Sequence, residues 1–139
     1  MARAVSIPFQ PPAIPWLEPL PLAESIQLGE GLDPCQLSRG LHNLCSQPEV
    51  QAVVAFGSRA RGEARPDSDL DLAVICKEGS LPVALKTSRS RHYRRLLGLL
   101  DHGVDLVVIG ADDALRLAGS RWHVMGDAAR DGLVLYVAR

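Results

Sequence analysis

Three short apolar runs set the limits on what this chain can fold into. Residues 50–56 (Val-Gln-Ala-Val-Val-Ala-Phe), 70–76 (Leu-Asp-Leu-Ala-Val-Ile-Cys) and 104–109 (Val-Asp-Leu-Val-Val-Ile) are each six or seven residues long and rich in β-branched side chains. Runs of that length and composition read as buried strands rather than helices. Between them lie stretches with helical spacing. Leu37, Leu41, Leu44 and Cys45 share one stripe over 35–47, closed by Pro48. Tyr93, Leu96, Leu97 and Leu100 recur at helical intervals within a helix predicted over 83–101, and Gly103 stops it. One helical stretch is predicted over 111–130, followed by a last strand at 133–137. Strands that alternate with helices predict a single α/β domain, with the order and direction of its strands left open.

Acids interrupt two of these strands where apolar residues are expected. Asp69 and Asp71 are two apart, so on a strand both side chains project from one face while Leu70 and Leu72 enter the core. Asp105 sits between Val104 and Leu106 on a later strand. Gathering three carboxylates at a half-buried place is costly, because like charges repel and each ion loses hydration. A divalent cation removes that cost, and an all-oxygen ligand set suits magnesium or manganese better than zinc. Upstream, Phe56-Gly57-Ser58-Arg59-Ala60-Arg61-Gly62 closes the first strand. A Gly-Ser pair there lets the backbone turn sharply and brings N–H groups close to a ligand. A helix starting at Ser58 favours a phosphate at its N-terminus, the Ser58 hydroxyl can donate to it, and Arg59, Arg61 or Arg65 can offset its charge.

Composition narrows the function classes. The chain has 139 residues, 47% of them hydrophobic and 22% charged, which is ordinary for a globular domain. A formal net charge of -1 argues against bulk nucleic-acid binding. Its three cysteines, Cys35, Cys45 and Cys76, show no C-x-x-C pairing and read as reduced thiols of a cytoplasmic protein, with Cys76 in the core. The histidines His42, His92, His102 and His123 share no metal-site spacing. No apolar run is long enough to cross a membrane, and prolines interrupt the N-terminus where a signal peptide would need a continuous apolar stretch. Six of the ten prolines fall in residues 1–22, interspersed with Ile7, Phe9, Ile14, Trp16, Leu17, Leu20 and Leu22. This segment reads as an extended arm that packs on the domain or on another chain. The division expected is an arm at 1–34 and a domain at 35–139. The basic run 86–95 reads mainly as the solvated side of a helix, with a triphosphate or an acidic partner as the other reading. Trp16 and Trp122 read as packing or interface residues rather than base platforms.

Gly57-Ser58, ten residues, Asp69-Leu70-Asp71-Leu72 and then the hydrophobic-flanked Asp105 together resemble the nucleotidyltransferases of the DNA polymerase beta superfamily. Phe56-Gly-Ser-Arg-Ala-Arg-Gly followed by Ser68-Asp-Leu-Asp-Leu is particularly similar to the minimal nucleotidyltransferases, or MNT proteins. The likeness spans about residues 37–137, up to the final 131–136 run, and leaves the arm outside. It implies a single nucleotidyltransferase domain with a small mixed sheet and helices packed on it. It also implies two magnesium ions (or manganese) on Asp69, Asp71 and Asp105, and ATP as the substrate. Gly57 and Ser58 would hold the β- and γ-phosphates, with Arg61 and Ser68 also in the nucleotide site, and Asp105 could take the proton of the attacking hydroxyl. Minimal members commonly work with a helical HEPN-type protein as the antitoxin of a toxin–antitoxin pair, which implies AMP transfer to a partner's hydroxyl. The other readings are a small-molecule adenylyltransferase of the aminoglycoside-modifying kind and a partner-binding module with weak or no turnover. Two tryptophans and the arm leave a homodimer as an open expectation.

Overall fold

The structure, a computed structural model, describes residues 13–98, 100 and 103–139. The expectations for Ile7, Pro8, Phe9, Pro11 and Pro12 of the arm and for His102 lie outside the described residues. The element order is α1 (Pro34–Cys45), β1 (Val50–Phe56), α2 (Gly57–Ala60), β2 (Leu70–Cys76), α3 (Val83–Leu97), β3 (Val104–Gly110), α4 (Ala111–Leu117), α5 (Val124–Asp131) and β4 (Leu133–Val137). The four strands form one mixed sheet in the order β3-β2-β1-β4, with β2 and β3 parallel and β1 antiparallel to both β2 and β4. The mixed α/β fold is the one expected.

Alternation along the strands divides the core into two layers. Val53, Ala55, Leu70, Leu72 and Val74 face one side, where Leu37, Leu41 and Leu44 of α1 and Tyr93 and Leu97 of α3 cover them. Ala52, Val54, Phe56, Ala73 and Ile75 face the other, under Ala114 of α4 and Met125 and Ala128 of α5. The described part of the N-terminal segment enters both layers. Trp16 is buried under the second, Ile26, Leu28 and Leu32 under the first, and Leu20 exchanges backbone hydrogen bonds of 3.0 and 2.9 Å with Val137 at the β4 edge. The described part of the proline-rich stretch is thus an extended strap whose Trp16 reaches the core while Leu17 and Leu20 stay exposed, and whose described prolines leave the sheet interior alone.

Two predicted helices differ from the structure. α3 ends at Leu97 because Gly98 adopts φ +79, a left-handed value that closes the helix, so Gly98 rather than Gly103 is its stop. The stretch predicted as one helix over 111–130 is two, broken between Leu117 and Val124. Gly119-Ser120 is the breaker there, and His123 caps α5 by accepting from the Met125 N–H at 3.1 Å through Nδ1. Asp33 caps α1 likewise, its carboxylate accepting from Cys35 N at 2.8 Å.

α1 crosses α3 closely enough that a Cβ built on Gly40 would sit 2.4 Å from the Leu97 carbonyl oxygen. Backbone, not a flexible side chain, would have to move. Gly40→Ala is therefore expected to destabilise the fold by about 1–3 kcal/mol despite the better helix propensity of alanine. Urea unfolding measures it, and a neutral or stabilised variant would contradict this packing.

Candidate active site

The end of the sheet where β1 finishes and β2 and β3 begin carries the acids. Phe56 pairs with Asp71 across β1–β2, and Asp71 pairs with Asp105 across β2–β3, so the three lie in a row. Both aspartates fall on the face covered by α4 and α5, and an open cavity of about 470 Å³ lies there. Gly57, Arg61, Asp71 and Asp105 line it together with Arg94 of α3 and with Val124 and Asp127 of α5. The structure thus brings together four of the predicted site residues, Gly57 and Arg61 from α2 and its C-terminal cap, Asp71 from β2 and Asp105 from β3.

The carboxyls of Asp71 and Asp105 are within hydrogen-bonding reach of each other. Burial raises the Asp71 pKa to about 6, the neighbouring Asp105 and then Asp69 add to the rise, and the Arg61 guanidinium opposes it. Asp69 lies one residue before β2, exposed, with an oxygen 2.6 Å from where a Gly103 Cβ would be. The Leu70 N–H donates to the Gly103 carbonyl at 2.9 Å, which holds the two loops together there. Among the described residues no group of three or more His, Cys, Asp and Glu side chains is drawn tightly enough together to enclose a metal ion. The close pair is Asp71–Asp105, and its mutual repulsion with oxygen-only donors fits a hard divalent cation that takes its remaining ligands from water or phosphate.

Gly57 begins α2, a single turn, at φ +73. A Cβ there would lie 2.2 Å from Asp71 Oδ2. Conformation and space both require glycine. Gly57→Ala is expected to displace the Asp71 carboxylate and to cost about 1–3 kcal/mol of stability. A thermal melt checks this, and an unchanged midpoint would show that Asp71 Oδ2 needs no fixed position.

Ser58 and Ser68 do not line the cavity. Ser58 is half-buried in the turn of α2, and its carbonyl accepts from Glu63 N at 2.9 Å. Ser68 Oγ accepts from Arg65 N at 2.8 Å, which shapes the loop before Asp69. Arg61 pairs with Glu63 at 3.1 Å on the cavity rim. Arg59, read from the sequence as a cation available to phosphate, is instead 3% exposed and donates to the carbonyls of Leu28, Glu30, Arg65, Pro66 and Ser68. An arginine inside a Gly-Ser-Arg turn gives no sequence sign of which way it points.

The sequence reading did not single out Arg94 or Asp127. Arg94 belongs to the basic run of α3, where it donates to the Val104 carbonyl beside Asp105. Asp127 sits on α5, and the Gly119-Ser120 break, read through as helix, is what turns that segment toward the cavity. Most of the basic run is the solvated side of α3, as expected, but Arg89 turns inward to Glu78. Burial then raises the Tyr93 hydroxyl's pKa, as does its donation to Glu49 at 2.8 Å. Cys76 is buried, and burial raises its thiol's pKa too.

Among the described residues no helix is long and apolar enough to cross a membrane. No curated protein matches the chain in sequence. Among solved structures, the chain is similar to a crystal structure of a toxin-antitoxin with AMP-PNP, at 24% identity over 72% of this chain and 73% of that chain, with a TM-score of 0.46. It is similar to a protein assigned as a nucleotidyltransferase from Sulfolobus solfataricus, at 20% identity over 78% of this chain and 93% of that one, with a TM-score of 0.47. It is also similar to a mutant of the toxin-antitoxin MntA-HpeT, at 24% identity over 78% and 75% of the two chains, with a TM-score of 0.45. Residues 41–119 match the family model described as Polymerase beta, Nucleotidyltransferase. With more than half of its length inside that model, the chain belongs to the polymerase beta nucleotidyltransferase family.

Proposed function

We propose that the chain is a magnesium-dependent enzyme that moves AMP from ATP to a hydroxyl on a partner protein and releases pyrophosphate. The observation that carries this reading is the Asp71–Asp105 pair, two carboxylates in contact on adjacent strands at the mouth of a cavity that Gly57 and Arg61 also line. Magnesium, when bound, neutralises this pair and polarises the phosphates. Asp69, Asp71 and Asp105 hold it. Arg61 and the turn at Gly57-Ser58 bind the β- and γ-phosphates. Asp105, at the far side of the row from Gly57, accepts the proton of the incoming hydroxyl. Positioning and charge neutralisation account for most of the rate in such a reaction.

The protein acceptor follows from the MNT-like run at 56–62 and 68–72 and from the net charge of -1, which suits a polynucleotide acceptor poorly. A helical HEPN-type protein is the partner of this reading, in the cytoplasm. The test is transfer of α-labelled ATP with magnesium into a lysate of the source organism, wild type against Asp69→Asn/Asp71→Asn. One labelled protein band seen with wild type alone is the expected result. Label on a small molecule or an RNA would keep the transferase and replace the acceptor. No transfer from any of the four nucleotides would overturn the enzyme reading in favour of a binding module.

A further inference from the structure

The two walls of the cavity differ in chemistry. The sheet-end wall carries Gly57, Arg61, Asp71 and Asp105, and the facing wall is the start of α5, with Val124 and Asp127. Asp127 is compensated by Arg130 of its own helix at 2.6 Å, and both side chains are about half exposed. A phosphate chain along that wall would meet a carboxylate. The part of a nucleotide that suits α5 is therefore the uncharged part, which has hydroxyls to donate and a flat apolar base. A carboxylate accepts well from sugar hydroxyls.

The break before α5 adds a second feature. A Cβ on Gly126 would lie 1.7 Å from the Ser120 carbonyl oxygen, so the turn is pressed directly on the first turn of α5. The Ser120 Oγ accepts from Trp122 N at 3.1 Å, and the Ser120 carbonyl accepts from Arg130 Nη1 at 3.3 Å. These contacts fix the backbone of Trp122 two residues before Val124. Its indole is nevertheless 96% exposed and packs on nothing in the core, unlike Trp16. Trp122 is not itself in the cavity lining, but a large exposed aromatic held on a rigid turn two residues before the lining residue Val124 is suited to stacking on a planar ligand.

We infer that the first turn of α5 and the turn before it form the nucleoside subsite of this cavity. Asp127 accepts hydrogen bonds from the ribose hydroxyls, while Val124 and Trp122 supply the apolar surface for the base. The inference rests on the nucleotide-transfer reading above and assigns the part of it that the acidic row leaves open.

Binding of Mg-AMP-PNP to the full chain by calorimetry, with acrylamide quenching of tryptophan fluorescence, tests it. Trp16 is 4% exposed and shielded from the quencher, so Trp122 is the reporter. Bound nucleotide is expected to protect Trp122, and Trp122→Ala to weaken binding about tenfold. Wild type is expected to bind ATP about tenfold tighter than 2′,3′-dideoxy-ATP, and Asp127→Ala to bind the two alike. Nucleotide that binds but leaves Trp122 open to quenching removes the base platform. An unchanged ATP preference in Asp127→Ala removes the ribose contact. Both together overturn the subsite and leave the transfer reading standing. A wild-type chain that binds no Mg-AMP-PNP overturns both.

Discussion

Asp71→Asn is expected to abolish nucleotide transfer and, in the absence of divalent cations, to make the protein more stable. The activity loss is on the order of 10³-fold or more, because the substitution removes one of two adjoining carboxylates from a row whose work is charge compensation. The gain in stability follows from the same geometry. Asp71 is held at a pKa of about 6 by burial and by Asp105, whereas the unfolded chain ionises it at the ordinary value of 3.8. The folded state therefore binds the proton more tightly than the unfolded state does. Its contribution to stability is fully present below pH 4 and is lost as the pH rises through about 6. At neutral pH the wild type carries that penalty and asparagine does not. After discounting for the solvent that reaches this half-buried group, the difference is on the order of 1 kcal/mol.

Thermal melts in EDTA at pH 5 and pH 7.5 measure this. The asparagine variant should melt higher at pH 7.5, with the gap narrowing at pH 5. Magnesium should raise the wild-type midpoint and leave the variant's nearly unchanged, since a ligand stabilises only the state that binds it. A variant less stable than wild type in EDTA at both pH values would mean that the two carboxyls are not in conflict.

The strands were legible because period and composition agree there. The runs at 50–56 and 70–76 are β-branched, bounded by turn residues, and buried on both faces, so little competes with that reading. Asp71 and Asp105 stood out because an acid inside such a run has no structural use. Other features depend on side-chain direction or on contacts distant in sequence, which spacing does not encode. Arg94 and Arg89 sit in one basic run, yet one reaches the cavity wall and the other turns in to Glu78. Ser68 belongs to the motif that suggests a nucleotide contact, and its hydroxyl accepts from Arg65 N, a loop contact that spacing does not show. Helical periodicity ran through 118–123 because Ala114, Leu115 and Leu117 before the break and Met125, Ala128 and Ala129 after it outweighed Gly119-Ser120. The break becomes necessary only when Gly126 has to meet the Ser120 carbonyl.

Arg59 shows most clearly what sequence spacing leaves out, and its removal is expected to cost more stability than any other single change considered above. Its guanidinium makes six hydrogen bonds to five carbonyls and has no carboxylate partner among the described residues. The acceptors belong to two separate segments, Leu28 and Glu30 of the N-terminal strap and Arg65, Pro66 and Ser68 of the loop that leads to Asp69. Gly29, at φ +91, gives the strap room for this, since a Cβ there would stand 3.3 Å from Arg59 Nη1. Arg59→Ala leaves buried carbonyls without donors and opens a void, for a loss of about 3–5 kcal/mol. Arg59→Lys should recover only part of it, because one ammonium cannot span acceptors that a planar fork reaches together. Urea unfolding of the three proteins measures the order wild type, lysine, alanine. At a temperature where all three are folded, transfer should also fall in that order, because the loop positioning Asp69 has lost its anchor while Asp71 and Asp105 remain paired. If alanine cost less than about 1 kcal/mol, the loop and strap would have to be held by their own backbone bonds, and the row of acids would not depend on an arginine that never touches the cavity.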